Sequence, residues 1–115
     1  MRVCVFGQWH LGCVTSVCLA HLGHDVVGFD VNTKSISDLR DGRPPISEPG
    51  LEELLLSGIG SGKLRFSSSH ADALSSVDVL WVTFDTPVND ADDADVEFVQ
   101  AQVRSALPFL SVGAV

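Results

Sequence analysis

The chain has 115 residues, a length that holds one domain and not two. Seven Lys and Arg stand against 15 Asp and Glu, a formal net charge of -8. That balance argues against a nucleic-acid partner, whose surface must be basic to displace counterions. With 45% hydrophobic and 19% charged residues the chain can bury a core, which excludes a disordered one.

Residues 2–6, Arg-Val-Cys-Val-Phe, read as a strand beginning almost at Met1. No basic-then-apolar signal segment precedes it, and no run approaches the ~18 apolar residues of a membrane span. A cytoplasmic protein with no membrane partner is expected. Residues 11–22 are largely apolar and predict a helix buried against a sheet, closing on Gly23. Residues 25–30, Asp-Val-Val-Gly-Phe-Asp, form a second strand that ends in an acid. Asn32 or Thr33 can cap a helix running to about Asp41, with Gly42 ending it. Strand, helix and strand in this order make a βαβ unit.

Arg43-Pro44-Pro45 is a loop. Glu48-Pro49-Gly50-Leu51 opens a short helix with Pro49 at its first position. Leu51, Leu54, Leu55 and Ile59 keep helical spacing, and Gly58, Gly60 and Gly62 break it. Residues 64–67 form a short third strand. Ser69-His70-Ala71-Asp72 has capping-box form and starts a brief helix. Residues 77–84 are a continuous apolar run, expected as a strand buried on both faces. Residues 85–95 form an acidic loop. Asp95 caps a last helix over about 96–110, with Val96, Val99, Val103 and Leu107 on one stripe and Pro108 kinking or ending it.

Alternating strands and helices predict a Rossmann-like, doubly wound α/β domain with a parallel sheet in the order 3-2-1-4. Gly113-Ala114-Val115 reads as the start of a fifth strand beside the fourth. Residues 1–115 are therefore expected to be one partial dinucleotide-binding domain, truncated before strand five. Strand four would then offer an open hydrophobic edge through which the chain self-associates.

Gly7-Gln8-Trp9-His10-Leu11-Gly12 lies between the first strand and the first helix, where a dinucleotide fold carries G-x-G-x-x-G. The first Gly permits the tight turn, and the third lets the helix approach the strand. The middle Gly normally lets backbone approach a pyrophosphate resting on the helix N-terminus. Here it is Trp9, whose ring must point into the phosphate site or away from it. Asp30 fits the acid that accepts hydrogen bonds from an adenosine ribose. A carboxylate there repels a 2′-phosphate, which favours NAD over NADP.

Taken together, these motifs resemble the N-terminal domain of the UDP-glucose/GDP-mannose dehydrogenase family. The matching stretches are Gly7…Gly12, residues 18–30, residues 45–55, Gly62-Lys63-Leu64-Arg65-Phe66 and Thr86-Pro87. The inserted Glu48-Pro49-Gly50-Leu51 segment is the most specific, because generic dinucleotide folds lack it. The resemblance implies a NAD-binding part of an enzyme that oxidises the C6 hydroxyl of a nucleotide sugar to a carboxylate, in two hydride transfers to NAD. It implies that Gly7, Trp9, His10, Leu11 and Gly12 form the pyrophosphate loop. By the same resemblance Asp30 binds the adenosine ribose and Lys34 lies on the adenine side. Thr83, Thr86 and Pro87 line the cofactor cleft. Three positions depart from the family pattern: Trp9 for Gly, Ser47 for Tyr and Asp85 for Gly. The family's nucleophilic Cys and its catalytic Lys, Asn and Asp belong to a downstream region absent here. No catalytic residue and no independent catalysis are thus expected of this chain, and the nucleotide sugar would be a partner only of a full-length enzyme.

Other constellations read as structural. Cys4, Cys13 and Cys18 include no C-x-x-C and no His at zinc-ligand spacing, so they are expected as buried small hydrophobes. His10 can touch a phosphate, cap the loop or simply pack. His21, His24 and His70 fall outside ligand spacing. Asp90, Asp92, Asp93 and Asp95 lack the Gly and terminal Glu of a calcium loop and read as a solvated acidic segment, so no metal is expected. The competing reading is non-enzymatic: a Rossmann-like packing or interaction module whose phosphate site Trp9 has closed.

Overall fold

The computed structural model describes residues 1–46, 48–83, 96–110 and 113–115. Four strands, β1 (Arg2–Phe6), β2 (Asp25–Phe29), β3 (Leu64–Ser67) and β4 (Val79–Val82), form a parallel sheet in the order β3-β2-β1-β4. The register pairs Val5 with Gly28 and Trp81, and Gly28 with Phe66. This is the expected α/β architecture. The start of a fifth strand is also visible: the Val115 N–H donates to Asp78 O at 2.9 Å, and Leu80 N–H donates to Val115 O at 2.6 Å. Two such bonds straddling Val79 are the parallel pattern.

Alternate side chains of each strand face opposite ways, which gives two cores. On one face Val3, Val5, Val26, Leu64 and Phe66 pack with residues of three helices, α1 (His10–His21), α2 (Thr33–Arg40) and α3 (Leu51–Ser61). On the other, Cys4, Phe6, Val27 and Phe29 meet Ala73 and Leu74 of α4 (His70–Leu74) and Ala106 of α5 (Val96–Ala106). Phe6 and Phe29 stack at 4.4 Å between ring centroids. The His70 ring lies edge-on to Phe29 at 4.9 Å and its Nε2 is 3.1 Å from Ser105 Oγ, so His70 is a packing residue.

Several expectations change in detail. In α1 one face only is buried, by Gly12, Cys13, Ser16, Val17 and Ala20, while Leu11 and Cys18 are exposed. The sequence is apolar all round, but one side of the helix has no layer above it among the described residues. Of the two candidate caps, Asn32 starts α2, its side-chain oxygen accepting from the N–H groups of Lys34 and Ser35. Pro49 does not begin α3. Gly50, at φ +83°, is its N-cap and Leu51 its first residue. Gly58 and Gly60 do not break that helix, which runs to Ser61 and stops at Gly62 in the left-handed region. Tertiary packing overrides the low propensity at Gly58: a Cβ there would stand 3.1 Å from that of Leu64.

The strand expected over 77–84 is shorter and is not buried on both faces: Trp81 and Val82 are exposed. β4 is the outer strand of the four, paired with β1 on one side, and on its other side Val115 bonds to it. The last helix ends at Ala106 and passes into a 3-10 turn at Leu107–Phe109 containing Pro108. Ala106 is the buried residue of this segment, and Leu107, expected on the apolar stripe, is exposed. The Asp95 cap and the acidic loop lie outside the described residues.

Candidate nucleotide-binding site

Ligands of open α/β sheets bind at the carboxyl ends of the strands, and here that end carries the glycine loop. β1 runs out at Phe6, and Gly7 turns the chain with φ +104°, a conformation that only glycine adopts without strain. Its N–H donates to Phe29 O at 2.8 Å, which stitches the turn to the end of β2. A Cβ on Gly12 would run into the carbonyl oxygen of Gly7 and stand 2.8 Å from Thr83 Oγ1. Both glycines therefore do what their positions suggest: one makes the turn, the other lets α1 press against it.

Thr83 sits directly beneath. Its N–H donates to Phe6 O at 2.9 Å, and its buried hydroxyl lies 2.8 Å from Gly7 O and 3.1 Å from Phe6 O. It fixes the loop from below while also lining the cleft. Gln8, passed over in the sequence, is the second fixture. Its side chain is buried, donating from Nε2 to Val5 O (2.9 Å) and Ser16 Oγ (3.0 Å). Gly28 makes room for it, since a Cβ there would stand 2.9 Å from Gln8 Cδ. The only signal in the sequence was a polar residue at a variable motif position with Ser16 two helical turns on, too little to find it.

Asp30 follows β2 and clamps the loop. Its Oδ2 accepts from Gln8 N–H at 2.8 Å and its Oδ1 from Asn32 N–H at 2.9 Å. An ionised carboxylate has about four lone-pair sites, so each oxygen keeps acceptor capacity for a ligand hydroxyl. No side chain caps the start of α1, and the N–H groups of His10, Leu11 and Gly12 in its first turn have no intrahelical acceptor. With the partial positive charge of the helix end, these form a cradle for an anion.

Trp9 has φ -83° and ψ -159°, so extended backbone accommodates the indole and no glycine is required at this point. The ring is 54% exposed. It borders two spaces. One is a cleft of about 340 Å³ shared with Gly7, Asp30, Val31, Thr83 and Phe98. The other, about 430 Å³, lies toward Asn32, Lys34, Arg43 and Pro45. Trp9 is a wall between them, and the cleft beside Asp30 is open. Lys34 borders the second space, its Nζ 3.1 Å from Asp38. Asp38 also meets Arg43 at 2.9 Å, and Arg43 with Lys34 holds its carboxyl below the usual range. His10 Nε2 lies 2.7 Å from Glu48 Oε1. Thr86, Pro87, Asp85 and Ser47 lie outside the described residues.

The thiols are poorly suited to nucleophilic chemistry. Burial pushes Cys4 up to about 12, against a small opposing effect of Arg65, and pushes Cys13 up to about 11. Cys18 is exposed, contrary to expectation, but lies about 12 Å along α1 from His10 at 1.5 Å per residue. Among the described residues no three His, Cys, Asp or Glu side chains gather to hold a metal, and no helix is long and apolar enough to cross a membrane.

Comparison with known proteins agrees with this geometry. The chain is 38% identical over 104 residues to a GDP-mannose 6-dehydrogenase of Pseudomonas savastanoi pv. phaseolicola, covering 90% of this chain and 24% of the relative. It is 38% identical over 105 residues to a UDP-glucose 6-dehydrogenase of Rhizobium meliloti, with the same coverage. It superposes on GDP-mannose dehydrogenase of Pseudomonas aeruginosa with a TM-score of 0.86 at 34% identity, over 92% of this chain and 24% of that one. With UDP-D-ManNAc dehydrogenase of Pyrococcus horikoshii the TM-score is 0.92 at 29% identity, over 100% and 27%. The chain thus spans about a quarter of the length of these relatives. The family model of the NAD binding domain matches residues 1–115 in full, and the chain belongs to the UDP-glucose/GDP-mannose dehydrogenase family.

Proposed function

We propose that this chain is the NAD-binding portion of a nucleotide-sugar 6-dehydrogenase and does not catalyse by itself. In the complete enzyme two NAD molecules, bound in turn, would each accept one of the two hydrides released as a C6 alcohol becomes a carboxylate, with water supplying the second oxygen. Within this chain the work is binding and orientation. The N–H groups at the start of α1, in the loop bounded by Gly7 and Gly12, receive the pyrophosphate. Asp30 accepts from the adenosine ribose. Trp9, His10 and Leu11 shape the loop, and Thr83 lines the cofactor cleft, as the family resemblance implies for Thr86 and Pro87 too. Lys34, on the adenine side of this reading, would first have to leave Asp38. The nucleotide sugar is a ligand of the longer enzyme only.

The observation that carries this reading is the Asp30 clamp. One carboxylate ties β2 to the glycine loop at 2.8 Å, beside an uncapped helix start and an open cleft. That arrangement places a hydroxyl acceptor and an anion cradle side by side, as an adenosine diphosphate moiety requires. Titration with NADH, followed by nicotinamide fluorescence, tests it. Saturable binding is expected, weakened about tenfold or more by Asp30→Ala because a charge-assisted hydrogen bond is worth ~1.5–3 kcal/mol. NADPH should bind more weakly than NADH, its 2′-phosphate meeting the Asp30 carboxylate. Absence of binding at millimolar NADH in both the parent chain and Trp9→Gly would overturn the reading.

A further inference from the structure

The inserted Glu48-Pro49-Gly50-Leu51 segment has no place in a minimal dinucleotide fold, yet it touches the nucleotide loop through one contact. His10 Nε2 and Glu48 Oε1 are 2.7 Å apart, with the two side chains 33% and 49% exposed. His10 is the first residue of α1. Its other ring nitrogen, Nδ1, is buried and has no hydrogen-bond partner among the described residues, so among these Glu48 is the polar neighbour of the ring. The short contact between Nε2 and the carboxylate sets where the ring lies.

Glu48 is itself held from behind. Its carbonyl accepts from Leu51 N–H at 3.1 Å, Gly50 turns the chain at φ +83°, and α3 begins at once. Leu51 and Leu55 then enter the same core as Cys13 and Val17 of α1. The carboxylate therefore stands on a rigid helix start packed against the helix whose first residue it grips. A free loop carrying Glu48 could not transmit position; this one can.

We infer that Glu48 is a positioning residue for the cofactor site: through His10 it fixes the first turn of α1, whose N–H groups receive the dinucleotide pyrophosphate. The inference rests on the NAD-binding reading above. It gives the inserted segment a task in the nucleotide site that needs no contact between Glu48 and the ligand. The pair is part-exposed, so its effect is modest, at most about fivefold in a dissociation constant.

The test is a double-mutant cycle on this chain, with NADH as probe and the thermal melting temperature measured for every variant. His10→Ala and Glu48→Ala should each weaken NADH about two- to fivefold, and the double variant should be no weaker than His10→Ala alone. His10→Gln keeps an N–H donor in reach of Glu48 and should regain most of the parent affinity. A general loss of structure would lower the melting temperature and would not be rescued in this way. Unchanged affinity in both single variants would overturn the proposal. So would effects that multiply in the double variant, or a His10→Gln protein as weak as His10→Ala. If His10→Ala does not fold, Glu48→Ala and His10→Gln decide alone. If the parent chain fails to bind NADH, it is the NAD-binding reading that falls.

Discussion

The two faces of the sheet are built to different depths. Among the described residues, twelve buried side chains on one face lock three helices to β1, β2 and β3. Eight on the other face hold the short α4 and a single residue of α5. Val82, in register with Phe6, and Phe98, Leu107 and Phe109 of the α5 segment remain exposed. The nucleotide loop belongs to the deep side: its helix is α1, its buried glutamine reaches Ser16 of that helix, and its carboxylate clamp stands at the end of β2. A backbone cradle works only if its N–H groups keep their positions, and the deeper core supplies that rigidity.

The sharpest way to break this contrast is at Gly12. Gly12→Ala forces a Cβ into Gly7 O, with backbone on both sides of the clash. We expect a loss of about 3 kcal/mol in urea unfolding and loss of NADH binding. Gly60→Ala is the control. Nothing stands within 4 Å of a Cβ there and no positive φ is required, so it should be neutral or stabilise by up to about 1 kcal/mol. Equal tolerance at both sites would mean that α1 does not press on the loop as described.

How much of this was legible beforehand follows from distance along the chain. Gly7 and Gly12 could be read because the turn they make depends on residues within one short segment and on hard-sphere contact. The position of Asp30 beside the glycine loop could be read because a strand end has one geometric outcome in this topology, but its bond to Gln8 N–H could not. Gly58 and Gly60 were misread because propensity concerns an isolated helix; at Gly58 the close approach to Leu64 also rewards a missing side chain. The exposure of Trp81 was misread because an apolar strand sequence records what can cover it and not what does. Gln8 and the His10–Glu48 pair were missed for a related reason: a buried amide or a long-range ion pair leaves no periodic trace.

The next prediction compares the faces directly. Leu55, fully buried on the deep side, should lose about 2–5 kcal/mol on replacement by Ala. Leu107, 55% exposed on the other, should lose no more than about 0.5 kcal/mol. Chemical denaturation of the two variants measures both. Comparable losses would show that the second face is as deep as the first.

The smallest expected effects are at two helix starts, one on each face. Asn32 accepts from two N–H groups, both at 3.1 Å, and caps an eight-residue helix beside Asp30. Ser69 accepts from one, at 3.4 Å, and caps a five-residue helix. Asn32→Ala should cost about 1 kcal/mol and Ser69→Ala a few tenths, near the bottom of the range for such caps. The pair separates two sources of order. If packing alone holds the deep side, losing the Asn32 cap would be absorbed by Ile36 and Leu39 and the two variants would unfold alike. A clearly larger loss at Asn32, together with weaker NADH binding, would show that local hydrogen bonding as well as core depth sets the loop, because the cap steadies the Asn32 backbone, whose N–H, kept in the variant, donates to the Asp30 carboxylate.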